Sequence, residues 1–172
     1  MYNVGIIGAA SDKFTASTFV VARDLVARLI VEAQVRHGAV TVVSGGCHLG
    51  GVDALAEEVG RGLAVPVQVF KPVVHQWNPP REYGYKARNL DIADGSDELH
   101  VVLVSGYPPG YAGVKYEECY HCQVATHVKS GACWTALRAI RLGKTVWRHV
   151  IALDGKVESE SGERILRSLG RS

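Results

Sequence analysis

Three cysteines and one histidine have the spacing of zinc ligands. Cys119, Cys122, His127 and Cys133 form the pattern C-x2-C-x4-H-x5-C. Structural zinc sites take four such sulfur and nitrogen ligands in a tetrahedron, and thiolates bind zinc at neutral pH. The pattern therefore predicts a structural zinc ion that orders the surrounding segment. Two other interpretations stay open: Cys133 packs as a free thiol at the start of a helix, or Cys119 and Cys122 form a redox pair.

Three turns that contain glycine follow predicted strands. Glycine allows the backbone to approach a ligand closely, so that successive N–H groups can converge on an anion, and a helix N-terminus behind the turn adds a favourable dipole. We therefore expect these turns to bind the phosphate groups of a nucleotide. The predicted contacts are Gly8, Ser11, Lys13, Ser44, Gly45, Gly46, Gly51, Asp53, Ser130 and Gly131. The alternative is that they are ordinary strand-to-helix turns, which also favour glycine.

Further candidate ligand contacts lie outside the glycine turns. Arg88 is predicted to clamp a phosphate, because a guanidinium group binds phosphate through two parallel hydrogen bonds. Asp53 either caps backbone N–H groups of its helix or binds a ribose hydroxyl. Trp77, Tyr83 and Tyr85 flank a proline-rich loop, where they either stack on a base or pack against the loop.

These residues must be positioned by strands and helices that alternate along the chain. Apolar runs typical of buried parallel strands lie at residues 2–9, 39–43, 65–70, 99–104 and 145–153. Amphipathic segments between them predict helices. We therefore expect a doubly wound, Rossmann-like α/β fold with about five parallel strands and helices on both faces. In such folds ligands bind beyond the carboxyl ends of the strands, where the strand order reverses.

Length and composition are those of one folded domain. The chain has 172 residues, a net charge of +2 and 47% hydrophobic residues, which exclude a disordered chain and a strongly basic nucleic-acid arm. We expect a single domain over residues 1–172, with a long irregular loop at 105–131 that the zinc site would clip. The chain shows neither an apolar run long enough for a membrane span nor a basic N-terminal region before its first apolar run. We therefore expect a cytoplasmic protein that does not bind membranes.

Three segments together resemble the SLOG superfamily, which includes the DNA-processing protein Smf and the "lonely guy" phosphoribohydrolases. Residues 42–46 (VVSGG), a following glycine and residues 53–56 (DALA) are similar to its first motif. Residues 85–93 with Asp97 resemble the segment before the fourth strand, and residues 129–136 (KSGACWTA) resemble the Smf-type "RSG..TA" turn. The resemblance covers residues 2–153. It implies a nucleotide or nucleotide-derived ligand. Our first hypothesis is therefore a nucleotide-binding module, with the sensing of a nucleotide signal as one use of it.

The chain also departs from the family. The spacing from Gly46 to Asp53 is at least one residue longer than in the usual family motif. The phosphoribohydrolase motif P-G-G-x-G-T-x-x-E is absent. Without that glutamate a glycosidic hydrolysis lacks its expected acid–base group, so we favour a non-enzymatic binding role. One alternative is an N-glycoside hydrolase in which Glu117, Glu118 or Asp97 replaces the glutamate. Another is a single-stranded DNA-binding protein that uses a patch of Arg81, Lys86 and Arg88. Association into a homo-oligomer is compatible with either role.

Overall fold

A computed structural model describes residues 1–169 of the chain. The strands in this range are β1 (Tyr2–Gly8), β2 (Val40–Ser44), β3 (Val67–Val69), β4 (Glu98–Val104), β5 (Thr145–Ile151) and β6 (Val157–Ser161). The α-helices are α1 (Ala16–His37), α2 (Val52–Gly62), α3 (Tyr85–Gly95), α4 (Gly131–Arg141) and α5 (Gly162–Leu169). A single 3₁₀ turn, Ser11–Lys13, connects β1 to α1 in this part of the chain.

The six strands of residues 1–169 form one sheet in the order β3-β2-β1-β4-β5-β6. The strands from β1 to β5 run parallel, and β1 pairs with β2 on one side and with β4 on the other. The chain therefore builds the sheet outward to β3 and then crosses back to add β4 beside β1. This reversal creates a topological switch point between β1 and β4. The predicted doubly wound, Rossmann-like fold is confirmed.

The predicted strand number is too low by one, because β6 extends the sheet. It pairs antiparallel with β5, from Trp147 opposite Ser161 to Ile151 opposite Val157. A tight turn joins the two strands, with Gly155 at φ +87° and the amide of Ala152 bonded to the carbonyl of Lys156. The sequence of β6 is V-E-S-E-S, a short and polar edge strand. Its lack of an apolar run is the reason that hydrophobic periodicity misses it.

Helices cover both faces of the sheet, as predicted. One face packs against α1 and α2 through residues such as Val4, Val42 and Val102. The other face packs against α3, α4 and α5 through residues such as Val43 and Leu103. The central strands β1, β2 and β4 are buried between two helical layers, and they are therefore mostly apolar.

The first helix has a defined cap at each end. Thr15 caps α1 in a reciprocal arrangement with Thr18, and Gly38 ends the helix at φ +72°. None of the helices in residues 1–169 combines the length and the apolar character that crossing a membrane requires. Between β4 and α4 the chain is irregular and contains a single bridge, Cys119 with Val124.

Candidate functional site

A cavity of about 740 Å³ lies at the switch point between β1 and β4. The turn after β1 contributes Gly8 and Lys13, and the α2 side contributes Cys47, Leu49 and Asp53. One face of α3 and the first turns of α4 line it from the opposite side. The irregular segment after β4 covers it. The volume is within the usual range for small-molecule sites, and the position is the one that the fold rule predicts.

The floor of the cavity contains a buried ion pair. Arg88 Nη1 lies 3.3 Å from Asp53 Oδ2 and donates to the carbonyl of Gly45 at 2.8 Å. The other carboxylate oxygen, Oδ1, accepts the amide of Gly8 at 3.3 Å. Burial raises the pKa of Asp53 to about 6, although Arg88 and the Gly8 amide oppose the shift. The Nη1 group of Arg88 therefore already has protein partners in the carbonyl of Gly45 and the carboxylate of Asp53.

The N-terminus of α4 opens into the cavity. Ser130 and Gly131 both line it, and Ser130 Oγ accepts the amide of Ala132 at 3.3 Å. A Cβ added to Gly131 would meet no atom within 4 Å. Lys129, which also lines the cavity, carries an ammonium group 5.0 Å from the ring centre of Tyr120. This end of the cavity combines the N-terminus of a helix with a cation, which suits an anion.

Of the predicted phosphate contacts, Gly8, Lys13, Asp53, Arg88, Ser130 and Gly131 line the cavity. The others pack outside it. Ser44 is fully buried and its hydroxyl bonds to the carbonyl of Asp53 and the amide of Gly46. Ser11 donates to the carbonyl of Leu49.

Close packing accounts for the glycines that do not face the cavity. Gly51 has φ +83°, and a Cβ there would overlap with the carbonyl of Ala9. At Gly46, with φ +56°, a Cβ would press on the side chains of Val69 and Lys71. A Cβ on Gly45 would overlap with the Arg88 guanidinium. These glycines therefore allow close packing of the segments beneath the cavity floor.

Aromatic side chains form much of the cavity wall: Trp77, Tyr85, Tyr107, Tyr111, Tyr116, Tyr120 and Trp134. Tyr107 and Tyr111 stack with ring centres 4.7 Å apart, and Trp77 meets Trp134 edge-on at 5.1 Å. The predicted aromatic Tyr83 is not part of this wall, since its hydroxyl donates to Asp91. Sequence reasoning missed the four loop tyrosines. Their recurrence in the glycine- and proline-containing segment after β4 is the signal that could have found them.

Further polar residues of the cavity were missed, among them Asn89 and Thr135. Asn89 on α3 is 4% exposed and Thr135 on α4 is fully buried, and both line the cavity. Within residues 1–169 the Thr135 hydroxyl has no hydrogen-bond partner, and the side-chain amide of Asn89 makes none either. Each is a polar residue on an otherwise buried face of its helix, a pattern that is visible in the sequence.

The carboxylates proposed to replace the missing glutamate lie elsewhere. Asp97 accepts the amide of Asn3 at 2.8 Å, at the amino end of the sheet and thus opposite the cavity. Glu117 and Glu118 are exposed and do not line the cavity. Among residues 1–169, Asp53 is the carboxylate that does.

The four predicted zinc ligands come together in one buried cluster. The ligand atoms of Cys119, Cys122, His127 and Cys133 all lie within 4.8 Å of one another. His127 Nε2 is 3.0 Å from Cys133 Sγ and 3.4 Å from Cys122 Sγ. A zinc ion about 2.3 Å from sulfur and about 2.0 Å from nitrogen would hold tetrahedral ligands roughly 3.5 Å apart. The cluster therefore could hold a structural metal ion.

The backbone and charges around the cluster fit a metal. The carbonyl of Cys119 accepts amides from both Cys122 and Gln123, which makes a tight turn with Gln123 at φ +55°. Hydrogen bonds from the thiols of Cys122 and Cys133 lower the pKa of Cys119. The guanidinium of Arg148, which also pairs with Glu160, lies 3.5 Å from Cys122 Sγ.

Metal ligands and cavity residues alternate along the chain. Tyr120 and His121 line the cavity and lie between Cys119 and Cys122. Lys129, Ser130 and Gly131 line it and lie between His127 and Cys133. The cluster is thus built into one wall of the cavity.

Comparisons of the chain with protein-family models, with curated proteins and with solved structures gave no match.

Proposed function

We propose that the chain binds a nucleotide or nucleotide-derived ligand in the switch-point cavity. One observation carries the proposal: the cavity joins an open helix N-terminus, at Ser130 and Gly131, to a wall of aromatic rings. A nucleotide needs both, because phosphate binds to helix N-terminal N–H groups and a base stacks on aromatic faces. The cavity cations Lys13, Arg88 and Lys129 outnumber its single carboxylate, Asp53, among the described residues.

The resemblance to the SLOG superfamily supports the same proposal. Its three motifs lie at the carboxyl end of β2 with the start of α2, along α3, and at the start of α4, and each contributes residues to the cavity lining. We infer that the chain is a member of this superfamily that retains ligand binding and lacks the hydrolase glutamate.

Thermal unfolding in the presence of AMP, ADP and ADP-ribose tests the proposal. A ligand at about 100 times its Kd stabilises the folded state by about 2.7 kcal/mol, which raises the Tm of a chain of this length by roughly 5–10 °C. Adenosine lacks the phosphate and inorganic phosphate lacks the base, so each should give a smaller Tm shift than the nucleotides. Absence of any shift with these nucleotides would contradict the proposal. Release of free base during incubation would support the N-glycoside hydrolase alternative.

A variant pair locates the ligand. Gly131→Val places a side chain at the open N-terminus of α4, where the structure has space for it, so the fold should persist while the nucleotide-induced shift disappears. Lys86→Ala removes a positive charge from α3 outside the cavity lining and should leave the shift unchanged. Equal shifts in the two variants would place the ligand elsewhere.

We further propose that the cluster of Cys119, Cys122, His127 and Cys133 holds a zinc ion. Three thiolates and one imidazole are a donor set that favours zinc over magnesium or calcium. Metal analysis of protein purified without added metal should give about one zinc per chain. Cys133→Ser should lower that value, and Cys47→Ser, which changes a cysteine outside the cluster, should not. A value near zero for the unmodified protein would exclude zinc.

A further inference from the structure

Two buried polar side chains in the cavity lack partners in the folded protein. The hydroxyl of Thr135 and the side-chain amide of Asn89 make no hydrogen bond with any residue in the range 1–169. Burying the Thr135 hydroxyl unpaired costs free energy, and most buried polar groups in proteins are satisfied. The Asn89 amide is not itself among the buried unpaired atoms, and the residue keeps only 4% of its surface exposed. Both residues line the same cavity. A bound ligand is therefore the natural partner for them.

Thr135 lies at a fixed distance from the anion end of the cavity, and Asn89 lies on the neighbouring helix α3. Thr135 is four positions after Gly131 on α4, which is about 6 Å along the helix axis on the same face. Asn89 lies on α3 beside Arg88, on the face that also carries Tyr85 and Ile92 into the cavity. When the anionic group of a ligand lies at the α4 N-terminus, the group bonded to that anion lies next to Asn89 and Thr135.

The chemistry of the pair fits hydroxyl groups. An amide and a hydroxyl both donate and accept hydrogen bonds and carry no charge, which suits a neutral group that also donates and accepts. The neighbouring Arg88 disfavours a cationic group at this place, and its Nε is itself buried without a partner among the described residues.

The aromatic wall is the better place for a base. Trp77 is 42% exposed, so its ring lies toward the mouth of the cavity, whereas Tyr116 and Tyr120 lie beside the Lys129 ammonium at the anion end. Asn89 and Thr135 are almost completely buried. An occupant that stacks its base at the mouth and directs its phosphate to α4 therefore places its sugar beside the polar pair.

We propose that Asn89 and Thr135 bind the sugar hydroxyls of the ligand, so that the site selects ribose over deoxyribose. This inference rests on the proposed nucleotide binding, and it adds a sugar specificity that neither the motifs nor the glycine turns contain. A site that hydrogen-bonds a hydroxyl group rejects an analogue without that group, because its own polar atoms are then left unpaired.

Calorimetric titration with AMP, 2′-deoxy-AMP, 3′-deoxy-AMP and ribose 5-phosphate tests the proposal. The unmodified protein should bind AMP about tenfold or more tightly than at least one of the deoxy analogues. Thr135→Val and Asn89→Leu should reduce that ratio toward one by weakening AMP binding alone. Thr135→Val should also leave the ligand-free protein as stable as before or more so, since it replaces an unpaired hydroxyl by a group of similar shape. Thr145→Val, at an exposed threonine on β5, is the matched control and should keep the preference.

The outcomes separate this inference from the function on which it rests. Equal affinity for AMP and both deoxy analogues, or an unchanged ratio in both cavity variants, would overturn the sugar assignment while leaving nucleotide binding in place. Binding of ribose 5-phosphate that is weakened by Thr135→Val, without binding of AMP, would support the sugar assignment and contradict the nucleotide. Failure of all four compounds to bind would overturn both.

Discussion

Arg88 acts first as a bridge within the protein. Its guanidinium joins α3 to the carbonyl of Gly45 after β2 and to the carboxylate of Asp53 on α2. Since Asp53 also accepts the amide of Gly8 at the end of β1, the three contacts tie together the segments around the cavity floor. The ion pair is nearly buried, so removal of one partner would leave the other charge uncompensated.

Gly45 allows this bridge to form, which leads to a prediction at the scale of one atom. A Cβ at this position would overlap with the Arg88 guanidinium and would lie 2.7 Å from Asp53 Oδ2. We expect Gly45→Ala to lower the free energy of unfolding by about 1–3 kcal/mol, because added atoms displace packed groups. Urea denaturation measures the change.

Gly62→Ala is the matched control for Gly45→Ala. Gly62 ends α2, and a Cβ there would meet no atom within 4 Å. Alanine is favoured over glycine in helices by up to about 1 kcal/mol, so this variant should be as stable as the unmodified protein or slightly more stable. Equal destabilisation by both substitutions would show that the contact of Gly45 with Arg88 has no particular effect.

At the scale of elements, the segment between β4 and α4 has little regular structure and contains Cys119, Cys122 and His127 of the cysteine cluster. It contains one isolated bridge and no helix or strand within the described chain, so few backbone hydrogen bonds hold it. The cluster joins it to the first turn of α4 through Cys133. A bound metal reduces the number of conformations that a long loop can adopt.

Removal of the metal should therefore weaken ligand binding. The cavity residues Tyr120 and Ser130 lie between metal ligands in the sequence, so the metal and the ligand order the same segment. We expect the double variant Cys119→Ser/Cys122→Ser to bind AMP at least about tenfold more weakly than the zinc-loaded protein, a coupling in the usual range. Calorimetric titration gives both affinities.

Zinc rescue provides the control for that experiment. Protein stripped with a chelator should lose affinity for AMP and regain it when zinc is restored, whereas the double variant should not respond to zinc. Far-UV circular dichroism should show that the sheet persists in both. Unchanged AMP affinity in stripped protein that retains its fold would show that the metal does not position the cavity wall.

The sequence predicts elements and ligand sets better than it predicts contacts. Alternating apolar runs identify five strands and the doubly wound class, and the cysteine spacing identifies all four members of the cluster. The edge strand Val157–Ser161 is missed because it is polar and lies at the border of the core. The unpaired state of Asn89 and Thr135 depends on how α3 packs against α4, which no local pattern records. The pairing of Arg88 with Asp53 likewise depends on the tertiary fold.

At the scale of the whole molecule, a buried polar network connects two central strands with α1. His100 Nδ1 on β4 is 3.0 Å from His149 Nε2 on β5, and His149 Nδ1 is 2.7 Å from Ser159 Oγ on β6. Glu98 lies 3.0 Å from both His100 Nε2 and Arg36, at the end of α1. The network therefore spans three strands and a helix on the face opposite α3 and α4.

This network makes stability depend on pH. Burial and the nearby charges of His100 and Arg28 lower the pKa of His149 to about 3, with Glu98 opposing the shift. In the unfolded chain a histidine has a pKa of about 6.5, so below that pH the unfolded state binds the proton first. Stability from this group is complete above about pH 6.5 and decreases as the pH falls toward about 3. Burial also opposes ionisation of Glu98, but the hydrogen bonds from His100 and Arg36 lower its pKa to about 2. Its contribution therefore changes only below about pH 4.5.

Comparison of the protein with His149→Gln at pH 7.5 and 5.5 isolates the effect. Between these values the unmodified protein should lose about 1 kcal/mol more of its free energy of unfolding than the variant does, because one histidine then titrates only in the unfolded state. Burial raises the pKa of Asp53 to about 6, which acts in the opposite direction but equally in both proteins. It therefore cancels in the comparison. Urea denaturation at both pH values provides the measurement, and equal losses in the two proteins would show that His149 can be protonated in the folded state.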